Sequence, residues 1–173
     1  PALQGFELAL FDINPQRLSE SETLLRAMKN TVGSRCEIKA YHDRKEALQG
    51  AKYVINAIQV GGYDPCTITD FEVPKKYGLR QTIADTLGIG GFCRKLRAFP
   101  VMLDSAADMR EVCPDAGFLN YTNPRAVLTN VMNTAGGIKT VGLCHSVQHC
   151  IPDLFKNLDM DTTNVRAKVA GIN

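Results

Sequence analysis

Apolar residues along this chain occur in two patterns. Short apolar runs bounded by polar or turn residues are typical of buried parallel strands, and recurrence every three or four residues is typical of amphipathic helices. Strands are predicted at residues 7–11, 36–41, 53–58, 118–122, 139–143 and 165–172. Because helical segments separate these strands, we expect an α/β fold: a Rossmann-like, doubly wound parallel sheet with helices on both faces.

Helix starts are marked by capping residues. Asn14-Pro15 and Asn123-Pro124 each place a capping side chain before a proline at the first helical position. Asp43, with Glu46 three residues later, forms a capping box, and Ser146 is predicted to cap a last helix. These signals fix where the predicted helices begin.

The middle of the chain reads as mostly helical. Over residues 65–113, breaks are predicted at Pro74, Gly78, residues 88–91 and Pro100. No linker or repeat is evident, so residues 1–173 are predicted to be one dinucleotide-binding domain. Since the chain opens on Pro1 and stops after a strand-like run, we expect this domain to be incomplete at both ends.

Composition narrows the class of protein. Hydrophobic residues make up 45% and charged residues 22%, and the net charge is +2 without a basic cluster. Binding to nucleic acid or to a membrane surface is therefore not expected. No apolar run approaches the roughly 18 residues of a membrane-spanning helix. The six cysteines show no paired spacing and read as reduced thiols of a cytoplasmic protein.

Candidate chemistry lies at strand ends, where doubly wound sheets bind ligands. Asp12 follows the first strand and is either a ligand for the ribose of NAD or a carboxylate near a helix N-terminus. Asn56 and the glycines of residues 59–62 either approach a cofactor or form a surface turn. Asn120 and Asn123 flank a later strand end, and helix capping alone would explain Asn123.

Cys144 and His145 stand side by side after the strand at residues 139–143. The pair could be buried filler, a nucleophile with its base, or half of a metal site. A thiolate that binds a divalent cation with few other protein ligands would leave positions open for substrate oxygens. The residues alone leave these alternatives open.

Four segments together resemble family 4 of the glycoside hydrolases. They are CTITDFEVPKKYG at 66–78, RQTIADTLGIGG at 80–91, NYTNP at 120–124 and VGLCHSVQ at 141–148. The α-galactosidases are the most similar branch, with α-glucosidases and α-glucuronidases close by. The resemblance covers nearly the whole chain, with the segments in the family's order.

The resemblance implies an enzyme outside the usual two-carboxylate scheme of glycosidases. Family members require NAD and a divalent cation, usually Mn²⁺. In the implied redox-elimination route, NAD⁺ accepts hydride from C3 of the sugar and a tyrosine removes the C2 proton. The implied partner is a small glycoside substrate, and a homo-oligomer is expected.

The resemblance also implies roles for individual residues. Cys144 is similar to the first metal ligand, His145 to a proton donor and Asn123 to the substrate-binding asparagine. Asp85 resembles the carboxylate that makes the base tyrosine more basic. The second metal ligand would follow Asn173, and the base tyrosine would lie further on.

On the cofactor side, Asp12, Asn56 and Asn120 match the family's pattern more loosely. Arg125 departs from it, because a methionine usually follows Asn-Pro in the family. An alternative class is a 2-hydroxy-acid dehydrogenase, since residues 123–129 also resemble lactate and malate dehydrogenases. A non-catalytic nucleotide-binding module is a further alternative.

Overall fold

The computed structural model describes residues 5–161, 163, 165, 166 and 168. Its strands are β1 (Glu7–Phe11), β2 (Glu37–Tyr41), β3 (Tyr53–Asn56), β4 (Gly117–Asn120) and β5 (Thr140–Gly142). Its α-helices are α1 (Pro15–Val32), α2 (Arg44–Leu48), α3 (Ile68–Lys75), α4 (Gly88–Val112), α5 (Arg125–Thr134) and α6 (Ser146–Asn157). A π-helical turn, Gly62–Thr67, precedes α3.

Helix α1 begins where its sequence predicts and ends at a glycine. The Asn14 side chain accepts hydrogen bonds from the main-chain N–H groups of Gln16 at 2.9 Å and Arg17 at 3.2 Å. Pro15 occupies the first helical position, where its missing N–H costs nothing. The helix ends at Gly33, whose φ of 63° is the left-handed conformation that favours glycine.

All described strand pairs are parallel, which confirms the predicted α/β class, but the strands form two sheets. One contains β1 and β2, and the other has the order β3-β4-β5. In the doubly wound order 3-2-1-4-5-6, one strand separates the two halves of the sheet. Strands β1 and β2 correspond to strands 2 and 3 of that order, and β3, β4 and β5 correspond to strands 4, 5 and 6. The division between the two sheets falls at the place of strand 1.

The hydrophobic core lies on one face of the three-stranded sheet. Phe118 of β4 packs with methionines of α4 and with Leu128 and Met132 of α5, and all are buried. On the opposite face, Ile55 of β3 and Val141 of β5 are exposed. Within the described part of the chain, the helices predicted on both faces of this sheet therefore cover one face.

Two predicted breaks in the middle of the chain were wrong. Residues 88–91 form the first turn of α4, and Pro100 lies inside that helix. Gly90 lets α4 approach its neighbours closely, since a Cβ there would lie 2.7 Å from the Ala84 main-chain oxygen. Pro100 has no N–H to donate to the carbonyl of Leu96, a residue that is half exposed.

A partly buried ion pair joins α3 to α4. Arg97 donates from Nη1 to Asp70 Oδ1 at 3.0 Å and from Nη2 to Asp70 Oδ2. The Asp70 carboxylate raises the pKa of Arg97 above its ordinary value, against the effect of burial. This bidentate pair fixes the position of α3 beside the long helix.

Two further expectations concern the last residues and the membrane. The strand predicted at residues 165–172 falls largely outside the described residues. Among the described helices, none is both long enough and apolar enough to cross a membrane. The predicted homo-oligomer stays a prediction.

Candidate active site at the strand ends

Buried amides close the carboxyl ends of β3 and β4. Asn56 and Asn120 are paired in register, and Asn56 Nδ2 donates to Asn120 Oδ1 at 3.0 Å. Asn56 Nδ2 also lies 3.0 Å from Thr122 Oγ1, and that hydroxyl donates to the main-chain oxygen of Ile58 at 2.9 Å. These hydrogen bonds connect the ends of β3 and β4 to each other and to the turn after β4.

The two predicted cofactor-side asparagines differ in what they leave free. Asn120 uses both atoms of its amide: Oδ1 accepts from Asn56 and from the Thr122 N–H, and Nδ2 donates to Thr122 and Thr129. Asn56 Oδ1 has no hydrogen-bond partner among the described residues. Asn56 therefore keeps one acceptor that a ligand could use, and Asn120 acts by orienting Asn56.

The glycines after β3 have a structural cause. Gly61 has a φ of 90°, and a Cβ on it would lie 2.5 Å from Cys66 Sγ. The π-helical turn thus folds its cysteine directly onto the loop at residues 59–62. The tight turn and the packing of Cys66 account for Gly61 without a cofactor, and the predicted close approach of a cofactor stays a prediction.

Asn123 does not cap α5, so that part of its predicted role was wrong. Pro124 occupies the N-cap position with extended backbone, and the helix begins at Arg125. The Asn123 side chain instead donates from Nδ2 to Asp85 Oδ2 at 2.8 Å. The structure therefore brings together two residues that the sequence placed in different motifs.

Arg94, which the sequence did not single out, holds the main chain at Asn123. Its Nε donates to the Asn123 main-chain oxygen at 3.3 Å, and its Nη1 lies 3.4 Å from Thr67 Oγ1. Gln59 donates to the same Thr67 hydroxyl at 3.1 Å. A polar path thus connects the loop after β3, helix α4 and the end of β4. No local pattern predicts it, because its members are far apart in sequence.

Cys144 is exposed just beyond β5, and its sulfur lies 3.2 Å from Ser146 Oγ. The Ser146 hydroxyl and main-chain N–H lower the pKa of the Cys144 thiol, and the positive charge of Arg125 lowers it further. Burial opposes these effects only weakly because the thiol is exposed. Cys144 is therefore neither a buried residue nor hydrogen bonded to the adjacent histidine.

His145 immediately precedes α6 and is exposed. Its ring meets the His149 ring edge to face, with centroids 5.7 Å apart. Ser146 is the first helical residue and makes no capping hydrogen bond, so its predicted capping role was wrong. Its hydroxyl is hydrogen bonded to Cys144 instead, which the closeness of the two residues in sequence could have suggested.

The donors at this position fit part of a metal site. An exposed thiol with a lowered pKa loses its proton readily, and a thiolate is the form that binds a cation. Among the described residues, no three His, Cys, Asp or Glu side chains lie close enough together to hold an ion. Cys144 therefore fits as one ligand. Because Mn²⁺ prefers oxygen ligands, substrate or water oxygens would suit the other positions.

Asp12 lies at the end of β1 and already has partners in the chain. Its Oδ1 accepts from the Asn14 N–H at 2.7 Å and from Arg17 Nη2 at 2.8 Å. Burial raises the pKa of Asp12, but the hydrogen bonds and the charge of Arg17 together leave it below its ordinary value. A ribose bound here would share Asp12 with Arg17. The predicted cofactor role of Asp12 and the predicted effect of Asp85 on a tyrosine stay predictions.

Comparison with known proteins identifies the family. The model of the family 4 glycosyl hydrolases matches residues 1–160. The chain belongs to this family. It is 59% identical over 172 residues to an α-galactosidase of Bacillus subtilis (strain 168), a match that covers 99% of this chain and 40% of that enzyme. The chain thus spans about 40% of the length of this curated relative.

Solved structures agree with this assignment. A 6-phospho-β-glucosidase of Thermotoga maritima, with manganese, NAD⁺ and glucose-6-phosphate, superposes with a TM-score of 0.77 at 27% identity. The match covers 92% of this chain and 38% of the glucosidase. A malate dehydrogenase of Plasmodium falciparum with NADH has a TM-score of 0.62 at 12% identity, over 94% of this chain and 44% of its own. The likeness to dehydrogenases is thus one of fold alone, and it confirms the Rossmann-like class.

Proposed function

We propose that the complete protein hydrolyses α-galactosides and requires NAD⁺ and a divalent cation, with Mn²⁺ the expected ion. The observation that carries the proposal is the 59% identity to an α-galactosidase over nearly the whole chain. Membership of family 4 and the NAD⁺ and manganese of the related glucosidase support the choice of cofactors. The alternative of a 2-hydroxy-acid dehydrogenase has support from the fold, at 12% identity to a malate dehydrogenase, and from the resemblance of residues 123–129.

In this proposal the residues after β4 and β5 bind the sugar and its cation. Cys144 provides a thiolate to the cation, which when bound supplies positive charge against the negative charge that develops on sugar oxygens. His145 lies beside that ligand, is exposed and donates a proton to the leaving group. Asn123 binds a sugar hydroxyl with its amide.

The cofactor is assigned to the ends of β1 and β3. Asp12 accepts hydrogen bonds from ribose hydroxyls, as an acidic residue at this position does in doubly wound nucleotide-binding folds. Asn56 offers its free Oδ1, and Asn120 orients that amide from within the protein. These residues would hold the cofactor at the carboxyl ends of β1 and β3, beside the end of β4 where the sugar is expected.

The test uses the complete gene product with aryl α-galactoside and aryl α-glucoside, each with and without NAD⁺, Mn²⁺ and a thiol. We expect turnover of the galactoside only with both cofactors. In D₂O, deuterium should enter C2 of the released sugar. Turnover of lactate or malate, or hydrolysis without exchange at C2, would contradict the proposal.

Metal binding by Cys144 is tested separately from activity. Mn²⁺ binding to the Cys144→Ser variant is measured by the loss of the free-ion EPR signal. We expect weakened binding in this variant and unchanged binding in Cys150→Ser, the matched control, which alters another exposed thiol on α6. Equal Mn²⁺ affinity in the two variants would remove Cys144 from the site.

A second candidate, an α-glucuronidase, has one specific observation in its favour. Arg125 places a cation next to Cys144, and its Nε is buried without a hydrogen-bond partner among the described residues. A sugar carboxylate would satisfy such a guanidinium. An aryl α-glucuronide arm in the same assay decides between the two, since preferred turnover of the uronide would replace the α-galactosidase proposal.

A further inference from the structure

The hydrogen bond between Asp85 and Asn123 joins the turn before α4 to the end of β4. Its length, 2.8 Å from Asn123 Nδ2 to Asp85 Oδ2, is that of a charge-assisted bond. Both side chains are half-buried. The contact is therefore partly shielded from water, which would otherwise compete for each amide and carboxylate atom.

The chemistry of the partner decides which way the Asn123 amide faces. An ionised carboxylate can accept hydrogen bonds but has no proton to donate. Asp85 therefore selects the amide orientation in which Nδ2 points toward it and Oδ1 points away. With an asparagine in place of Asp85, either amide atom of Asn123 would find a partner, and this selection would be lost.

The main chain at Asn123 is held independently of its side chain. Arg94 donates to the Asn123 carbonyl at 3.3 Å and is itself anchored at Thr67. The backbone therefore has little freedom to follow the side chain. What can still vary is which atom of the Asn123 amide, Oδ1 or Nδ2, faces Asp85, and the Asp85 carboxylate determines this.

The selected orientation leaves one acceptor unused at the carboxyl end of β4. Asn123 Nδ2 is occupied by Asp85, and Oδ1 has no hydrogen-bond partner among the described residues. Ligands of doubly wound sheets bind outside this edge. A carbonyl oxygen there can accept a proton from a ligand hydroxyl but cannot donate to a ligand oxygen.

We propose that Asp85 is a positioning residue that orients the Asn123 amide, so that Asn123 accepts a hydrogen bond from a sugar hydroxyl through Oδ1. This inference rests on the proposed glycosidase function and specifies the direction of one hydrogen bond, from the sugar hydroxyl to Asn123. It assigns Asp85 a partner within this chain, whereas the resemblance relates Asp85 to a tyrosine beyond residue 173. The required ligand group is a hydroxyl donor, because an ether or fluorine at the same position has no proton to give.

The test exchanges the two side chains in the complete protein. For Asp85→Asn, we expect KM for aryl α-galactoside to rise roughly tenfold, the equivalent of one misdirected hydrogen bond. Asn123→Asp places two carboxylates in contact and should raise KM by at least as much. In the double variant, the asparagine introduced at position 85 donates to the aspartate introduced at position 123, whose second oxygen faces the ligand. We expect KM to return to within about threefold of wild type, since the acceptor is restored.

The experiment has one control variant, and two outcomes would contradict the inference. Glu22→Gln removes a carboxylate from an exposed ion pair on α1 and should leave KM unchanged. If Asn123 donates to the substrate, the double variant stays as impaired as Asn123→Asp, because aspartate has no amide proton. If the pair is only structural, Asp85→Asn lowers the thermal midpoint and leaves KM unchanged. Either result would overturn the inference.

The same experiment separates this inference from the function on which it rests. Wild-type turnover with NAD⁺ and Mn²⁺, combined with a failed exchange, would overturn the role of Asp85 and leave the proposed function intact. Absence of wild-type turnover on every aryl glycoside would overturn both. Preference for another sugar would change the substrate, and the exchange would then be scored on that sugar with the same expectations.

Discussion

The Asp70–Arg97 ion pair allows a quantitative prediction about how α3 is held. The Asp70 side chain is 4% exposed and that of Arg97 is 28% exposed. Asp70→Asn keeps the shape of the side chain but removes the charge, and Arg97 Nε already lacks a partner among the described residues. Breaking a fully buried pair costs roughly 3–5 kcal/mol. Because Arg97 remains partly hydrated, we expect a loss of about 2–3 kcal/mol in the free energy of unfolding.

Urea unfolding of the complete protein, with hydrogen exchange of the α3 amides, measures this loss. Glu72→Gln is the matched control, because the Glu72–Lys75 pair lies on the same helix and both side chains are more than half exposed. Its expected cost is below about 0.5 kcal/mol. The apolar pair Asp70→Leu/Arg97→Met should recover most of the loss, since no charge remains buried. The reasoning is refuted if Asp70→Asn costs no more than Glu72→Gln.

Three further predictions follow from local geometry. Gly61→Ala should destabilise by about 1–2 kcal/mol more than Gly62→Ala in thermal unfolding, because both have positive φ but only Gly61 faces a thiol at 2.5 Å; equal losses would contradict this. Iodoacetamide should label Cys144 with a pH midpoint below that of an ordinary thiol, since its pKa is lowered, and should spare Cys113, which is buried with a raised pKa; the reverse order would count against the assigned geometry. Leu128→Ala, at a fully buried position, should cost about 2–5 kcal/mol in urea unfolding, and a cost below about 1 kcal/mol would show that the core is misplaced.

The sequence predicted the elements whose signals are local. The strand predicted at residues 7–11 matches β1, and the strand predicted at 53–58 contains β3, which ends at Asn56. Helix α1 starts where a capping side chain precedes a proline. Such signals involve residues within a few positions of each other, so both interacting residues can be read from one short segment of sequence.

The errors share a physical origin in long-range contacts. Asn123 satisfies the pattern of a helix cap, yet its partner is Asp85, 38 residues away. The glycines at 88–91 read as a turn because glycine permits turns, whereas Gly90 and Gly91 are buried and let a helix pack closely. Both patterns have two physical explanations, and only the tertiary packing decides between them.

The sequence named candidate site residues, whose roles stay predictions, but it did not predict the contacts that those residues make. Cys144 and His145 were recognised from their motif, but the Ser146 and Arg125 contacts that lower the Cys144 pKa were not. Arg94 gave no signal at all, since an arginine on an amphipathic helix is ordinary. Contacts of this kind become visible only once three elements meet at one strand edge.

The paired amides at the ends of β3 and β4 also constrain how those strands can align. Parallel strands with apolar side chains could slide past one another, since most of their residues are interchangeable in shape. A slip of one residue would place Asn56 opposite Leu119 or Tyr121 and leave a buried amide without its hydrogen bonds. The two asparagines therefore fix the register of β3 against β4, because they disfavour the misaligned pairings that the apolar residues alone would permit.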